Sequence, residues 1–422
     1  MAIAARAEAP VRSLLRRNAA YRRLWAAHTV SVLGDAVTLV AFPTIAVVSL
    51  EASPFLVGVL GAAGSAAWLV VSLAAGVWVD RLPRRRVLVA ADVVRFGLVA
   101  SIPAAHVAGV LTVWQLLAVA GLAGVCSVFF SLASTAYVTE SVEPDDLTQA
   151  NARLELTFSA AQLAGPSAGG GLIAVVGAPL AVAADALSFA VSALFLSGGP
   201  RPAPPPAAAP RRSFAQDLRA GVRETRRQPV LLRTTAAAGL ANAGLAMTQA
   251  AIFLFAFRGL GLGPAEVGIA FTAAAVGTLA GAAVAERITR ALGTARTLPL
   301  ATLLEALPGL LFPLALLGAP LLWLALPLSL RFFFGPIWNV GAITLRQRLV
   351  GSQLQARVTA VSRGVSMGAW PLGALLGGAL GEILSGTLGD AHGFGLTLVV
   401  AAAVGSVSVV LVLPRHLRGL PV

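Results

Sequence analysis

Long apolar blocks alternate along this chain with short polar links rich in arginine. Each block is near the roughly 20 residues a helix needs to cross a bilayer. Inside a bilayer the backbone must satisfy its own hydrogen bonds, which a helix does within one segment. The pattern therefore predicts an all-α integral membrane protein with twelve transmembrane helices, at about 24–50, 55–79, 87–109, 112–138, 151–176, 179–197, 231–257, 265–285, 297–317, 320–345, 357–383 and 393–413. Several links carry turn chemistry, such as Ser53-Pro54, Gly177-Ala178-Pro179, Gly263-Pro264 and Gly318-Ala319-Pro320.

The arginines give an orientation. Links after spans 2, 6, 8 and 10 hold Arg81, Arg84, Arg85 and Arg86, then a large central cluster, then Arg287, Arg290 and Arg296, then Arg346 and Arg348. Links after spans 1, 3, 5, 9 and 11 have none, and the link after span 7 has only Arg258 beside it. By the positive-inside rule the first set and both termini are expected in the cytoplasm. The division that follows is a basic tail (1–23), a six-helix bundle (24–197), a Pro-rich linker with an amphipathic helix (198–230), a second six-helix bundle (231–413) and a short tail (414–422). The linker helix starts with a capping-box pattern, Ser213 and Gln216. Phe214, Leu218 and Val222 then share one face and Arg219, Arg223, Arg226 and Arg227 supply the other, as expected of a helix on an anionic leaflet.

Composition removes other classes. The 422 residues are 57% hydrophobic and 12% charged, against about 45–50% and 25% in soluble domains. Mean hydropathy is +0.84. One cysteine, Cys126, excludes a disulfide framework and a thiolate metal site, and four scattered histidines make a zinc cage improbable. The net charge of +13 is all arginine, placed between apolar blocks, so it argues topology rather than nucleic acid. The first apolar block is too long for the core of a signal peptide.

The two halves repeat each other. Leu33-Gly34-Asp35-Ala36 aligns with Leu240-Ala241-Asn242-Ala243, Asp80-Arg81 with Glu286-Arg287, and Val142–Leu147 with Leu349–Leu354. Ser53-Pro54-Phe55-Leu56-Val57-Gly58 aligns with Gly263-Pro264-Ala265-Glu266-Val267-Gly268, all in one order at offsets of 206 to 210. Two pseudo-symmetric six-span halves are the architecture of carriers that rock about a central site.

Residues 76–87, Gly-Val-Trp-Val-Asp-Arg-Leu-Pro-Arg-Arg-Arg-Val, fall between spans 2 and 3. This segment resembles the Gly-x-x-x-Asp-Arg-x-Gly-Arg-Arg signature of the major facilitator superfamily, with Pro83 where the family has its second glycine. The resemblance implies a cytoplasmic gate built on Gly76, Asp80, Arg81 and Arg85, with a degenerate second copy at Glu286 and Arg287. In span 5, Gly165-Pro166-Ser167-Ala168-Gly169-Gly170 resembles the core of the motif found in antiporter branches. It implies a role for Gly165, Pro166, Gly169 and Gly170, although Ala161 stands where the full motif has glycine. Segments around Leu33-Gly34-Asp35, Ala91–Phe96 and Ala184–Phe189 are similar to the macrolide-efflux and siderophore-exporter group.

Ionisable residues inside a bilayer are costly and are functional candidates for that reason. Asp35 lies near the middle of span 1 by the helical rise, and in the family spans 1, 4, 7 and 10 line the cavity. Asp35 is expected to couple transport to protons. Asn242, Arg331, Trp338, Asn339, Phe129, Phe130 and Tyr137 are expected to line the substrate cavity. Glu305 in span 9 is set near Arg331, Arg363 near the acidic link at 143–146 or Asp80, and Asp92 and Arg95 are expected to pair within one helix. No nucleotide-binding loop, metal set or catalytic constellation is present in the sequence. The expectation is a monomeric, proton-coupled exporter of hydrophobic or amphipathic small molecules in a bacterial plasma membrane. It needs no cofactor beyond the proton gradient and performs no enzymatic reaction. An importer, a uniporter or a lipid transporter of the same fold is the alternative.

Overall fold

The computed structural model describes residues 13–198 and 214–413. Both tails beyond these, the Pro-rich stretch and the cap on Ser213 lie outside the described residues. A single turn, α1 (Ser13–Arg17), precedes six long helices: α2 (Ala19–Thr44), α3 (Pro54–Arg81), α4 (Arg84–Val107), α5 (Val113–Ser141), α6 (Leu147–Val176) and α7 (Ala178–Ser197). A short helix, α8 (Phe214–Arg227), leads into α9 (Pro229–Leu254), α10 (Pro264–Leu292), α11 (Thr294–Ala306), α12 (Pro320–Leu349), α13 (Ser352–Leu388) and α14 (Asp390–Leu411).

Among the described residues, eleven helices are long and apolar enough to cross a membrane. The twelfth expected span is α6, which has the same 30 residues as α12. Gln149, Asn151, Arg153 and Glu155 fill its start, and a run of glycine and serine follows, so its hydropathy falls short although its length does not.

Local chemistry sets the helix starts. Ser53 accepts from the Leu56 N–H (3.4 Å) with Pro54 at the first helical position of α3. At α10, where glycine replaces that serine, Glu266 instead reaches back to the Gly263 N–H (2.6 Å). Gly177 (φ 81°) and Gly389 (φ 79°) turn α6 into α7 and α13 into α14, in a backbone region that side chains with a Cβ avoid. Beyond α11 the chain continues as a 3₁₀ helix over Leu307–Leu317, where Pro308 and Pro313 have no N–H to give an α-helix.

The internal repeat survives in three dimensions. α2 packs against α6 and α7 as α9 does against α13 and α14. α3 pairs with α5 as α10 does with α12, and α4 meets α5 and α7 as α11 meets α12 and α14. Even an irregularity is shared: α2 and α9 both end in a π-helical turn, Ile45–Ser49 and Phe255–Gly259. The first is closed by Leu50 N–H to the Ile45 carbonyl (2.9 Å), the second by Leu260 N–H to the Phe255 carbonyl (2.8 Å).

The halves meet mainly through α3 with α13 and α6 with α10. α8 also has protein partners, which its amphipathic pattern did not indicate. It packs on α13 and α9, with Thr225 buried and donating to the Gly221 carbonyl (2.9 Å). Gly221 lies against the Arg357 carbonyl, where no Cβ would fit. Leu218 stays 39% exposed, so the helix has one face on protein and one free.

Candidate functional site

The first half holds a polar network on α2, α4 and α7. Asp92 and Arg95 pair within α4, both almost fully buried. Ser192 of α7 donates to the other Asp92 oxygen (2.5 Å). The guanidinium of Arg95 is sandwiched between the rings of Phe189 (4.2 Å to the centroid) and Phe130 (4.6 Å). A charge in a bilayer is stabilised by such pairing and by aromatic faces. Asp185 of α7, 1% exposed, accepts from Thr38 and from Ser188 (3.3 Å). It belongs to the α2–α7 contact, where Gly34 lies directly against it and Ser188.

Asp35 sits at the edge of this network. Gly34 and Thr38 face α7, while Ala36 and Val37 meet Gly165 and Gly169 of α6. Asp35 is left on the remaining face, exposed. Arg95 and Asp185 act on it electrostatically.

The second half contains a cavity of about 530 Å³ between α9, α11, α12 and α13, within the range of small-molecule sites. Asn242, Trp338 and Asn339 meet in its wall. Glu305, Arg346 and Arg363 join them, and their convergence was not readable from sequence, because three helices contribute one charge each. Arg363 is in this wall rather than beside the acidic link, whose Asp146 pairs with Arg17 (3.6 Å). Arg331 is 2% exposed and donates to Thr248 of α9 (3.0 Å). Its electrostatic counterpart is Glu305, and no ion-pair contact joins the two. Phe130 and Tyr137 are buried at 7% and 2%. Phe129 is half-buried and touches Trp78 (6.3 Å between centroids). None of these four is in the wall of this cavity.

At the arginine-rich end, Arg84 pairs with Glu140 at the end of α5 (3.2 Å), and Arg85 donates to the Leu196 carbonyl at the end of α7 (2.8 Å). Arg81 is exposed, Gly76 has open space above it, and the Asp80 side chain lies outside the described residues. In the second copy Glu286 pairs with Arg290 one turn on, and Arg287 is exposed.

The opposite, arginine-poor end is closed. A Cβ at Gly268 or Gly170 would collide with the carbonyl of Pro166 or Pro264 respectively, and Gly58 lies on the Ala374 carbonyl and Gly378. Here the Gly-Pro-x-x-Gly-Gly segment serves two contacts at once: Gly165 and Gly169 admit α2, while Pro166 and Gly170 admit α10. Two polar clamps cross the same seam. Arg258 donates to the carbonyls of Val47 (3.3 Å) and Ala52 (2.9 Å). Glu382 accepts from the Phe55 N–H at the start of α3 (3.0 Å). Each charged hydrogen bond contributes about 1.5–3 kcal/mol. Arg258→Ala is therefore expected to open this end more often, read as faster maleimide labelling of a cysteine placed at Ser53 in a Cys126→Ser background. Unchanged labelling would remove Arg258 from the closure.

Comparison with known proteins agrees with this geometry. A family model described as Major Facilitator Superfamily matches residues 24–363. The multidrug efflux pump Tap of Mycolicibacterium fortuitum is 30% identical over 375 residues, covering 85% of this chain and 88% of that one. The enterobactin exporter EntS of Shigella dysenteriae is 27% identical over 436 residues, covering 97% and 96%. Among solved structures, a bacterial homolog of the human lysosomal transporter Spinster superposes with a TM-score of 0.73 at 16% identity, over 97% of this chain and 98% of that one. The nucleoside transporter NupG superposes with a TM-score of 0.74 at 12% identity, over 93% and 98%. With duplicated six-helix halves and a family match over most of its length, the chain belongs to the major facilitator superfamily.

Proposed function

We propose that this protein exports hydrophobic or amphipathic small molecules by alternating access, in exchange for protons, across a bacterial plasma membrane. The observation that carries the reading is the opposition of two ends: glycine contacts and two polar clamps seal the arginine-poor end, while a cavity lies beside Arg346 and Gln347 at the other. The positive-inside rule puts the arginine-rich end, and with it both termini, in the cytoplasm. The described conformation then has its cavity on the loading side for export. Relatives named as an efflux pump and an exporter support the direction. The polar lining of the cavity favours small molecules over the lipid-transporter alternative.

Asp35 is the proposed coupling group. It is exposed, the buried cation Arg95 acts on it electrostatically, and its repeat mate Asn242 cannot titrate. Protonation of Asp35 from outside biases the carrier toward one state, and release of the proton inside resets it. The gate motif at Arg81 and Arg85, with Asp80, and its copy at Glu286 and Arg287, is proposed to hold the cytoplasmic end in the other state. The test is accumulation of labelled hydrophobic drugs in an efflux-deficient host at matched protein levels. Wild type is expected to lower accumulation, and a protonophore or Asp35→Asn to restore it to the level of cells without the protein. Export by Asp35→Asn that matches wild type would move the coupling elsewhere.

A further inference from the structure

The cavity wall carries more positive charge than the protein answers. Arg346 and Arg363 come from facing helices α12 and α13. Arg346 makes one side-chain hydrogen bond, to Thr359 (3.3 Å). Among the described residues no carboxylate pairs with either guanidinium, and the charge that acts on Arg346 is the like charge of Arg363. Glu305 is the acid in the wall, and it is matched electrostatically to Arg331. A topological bias toward arginine explains positive residues anywhere at this end. It does not explain two of them turned into one cavity whose single acid, Glu305, is matched to a third arginine outside the wall.

The rest of the wall fits an elongated partner. Trp338 lies eight residues before Arg346 on α12, about 12 Å deeper at the helical rise. Ile343 and Met367 add apolar surface, and Thr359, Ser362 and Ser366 add hydroxyls to the same wall. Arginine in pairs grips oxyanions through several directed donors.

We propose that this cavity selects amphipathic molecules with an anionic head, a carboxylate, sulfonate or phosphate ester, gripped by Arg346 and Arg363 while an apolar or planar body lies on Trp338. This deepens the exporter reading and rests on it, since the cavity is taken there as the loading site.

The probe is pyrenebutyrate, an aryl carboxylate of suitable length, compared with its neutral methyl ester. Binding to the purified full chain in phosphatidylcholine nanodiscs is read by energy transfer from tryptophan to pyrene. Wild type is expected to prefer the acid at least about tenfold, the ratio that one charge-assisted contact supplies. Arg346→Gln and Arg363→Gln are each expected to reduce that ratio toward one, and Arg363→Lys to recover part of it. A wild type that binds ester and acid equally, or a ratio that survives both glutamine variants, overturns the proposal. If a glutamine variant fails to elute as a single species, the wild-type ratio measured against ionic strength decides: it is expected to fall with salt, and a constant ratio overturns the proposal. The anion could also be a lipid head group. Replacing part of the phosphatidylcholine with phosphatidylglycerol is expected to leave acid binding unchanged, and competitive loss of pyrenebutyrate would assign the site to lipid and overturn the small-molecule claim. Failure of the exporter reading has a different signature: the acid binds selectively, yet neither compound moves in proton-loaded vesicles.

Discussion

Gly268→Val is expected to abolish transport while leaving the protein folded. The glycine lies on the Pro166 carbonyl across the seam between halves, and neither α6 nor α10 offers a flexible side chain that can move aside. Overpacking of this kind costs about 1–3 kcal/mol or more. The cost falls only on the conformation in which the arginine-poor end is closed, because opening that end separates the two helices. Such a difference moves a two-state equilibrium by about 5- to 150-fold. The variant is expected to rest open to the arginine-poor side, with transport at background. The measurement is maleimide labelling of a cysteine at Ser167, whose hydroxyl meets Thr272 in the closed seam (2.7 Å). Labelling is expected to rise in step with the lost transport. A fully active Gly268→Val would mean that the seam closes less tightly during turnover than the contact requires.

The second large effect is on stability. Arg95→Leu leaves the Asp92 carboxylate buried with only Ser192 to answer it. Removing one partner of a buried pair costs about 3–5 kcal/mol. The cation also holds two rings from different helices, Phe130 of α5 and Phe189 of α7, so its loss loosens the junction of α4 with both. Poor yield and a lower melting temperature in detergent are the expected result. Asp92→Leu combined with Arg95→Leu is expected to melt higher than Arg95→Leu alone, since no lone charge is then left in an apolar setting. If the double variant melts lower than the single one, the contribution of this cluster is packing geometry rather than charge balance.

Much of this fold was legible as rhythm. Block length gave the spans, arginine spacing gave an expected orientation, and the offset near 207 gave the halves, because each depends on sequence-local physics. The one span whose hydropathy falls short, α6, does so for a local reason as well: its glycines serve close contact with α2 and α10 at the expense of apolar surface. The Asp92–Arg95 pair was readable from its three-residue spacing. Ser192, Phe130 and Phe189 were not, since they arrive from other helices. The cavity divides the same way. Asn242, Trp338 and Asn339 were reachable from the family's lining helices. Glu305, Arg346 and Arg363 needed the rotation of three helices about their axes, which no spacing rule supplies. Arg331 shows the converse. It lies on a lining helix, but its face turns toward Thr248.

The 3₁₀ stretch after α11 changes what a given number of residues can reach. At about 2.0 Å per residue against 1.5 Å for an α-helix, the segment Leu307–Leu317 extends about 22 Å where an α-helix would extend about 16 Å. Together with α11, this span bridges the bilayer with several ångströms to spare on only 24 residues. A narrower rod also leaves room beside it, and α14 fills that room, with Ala402 on Gly309 and Gly395 near Pro313. Thickness of the host membrane thus bears on this one span differently from the rest: a thinner bilayer leaves it with surplus length, and winding the stretch back toward α geometry would shorten it without tilting its neighbours.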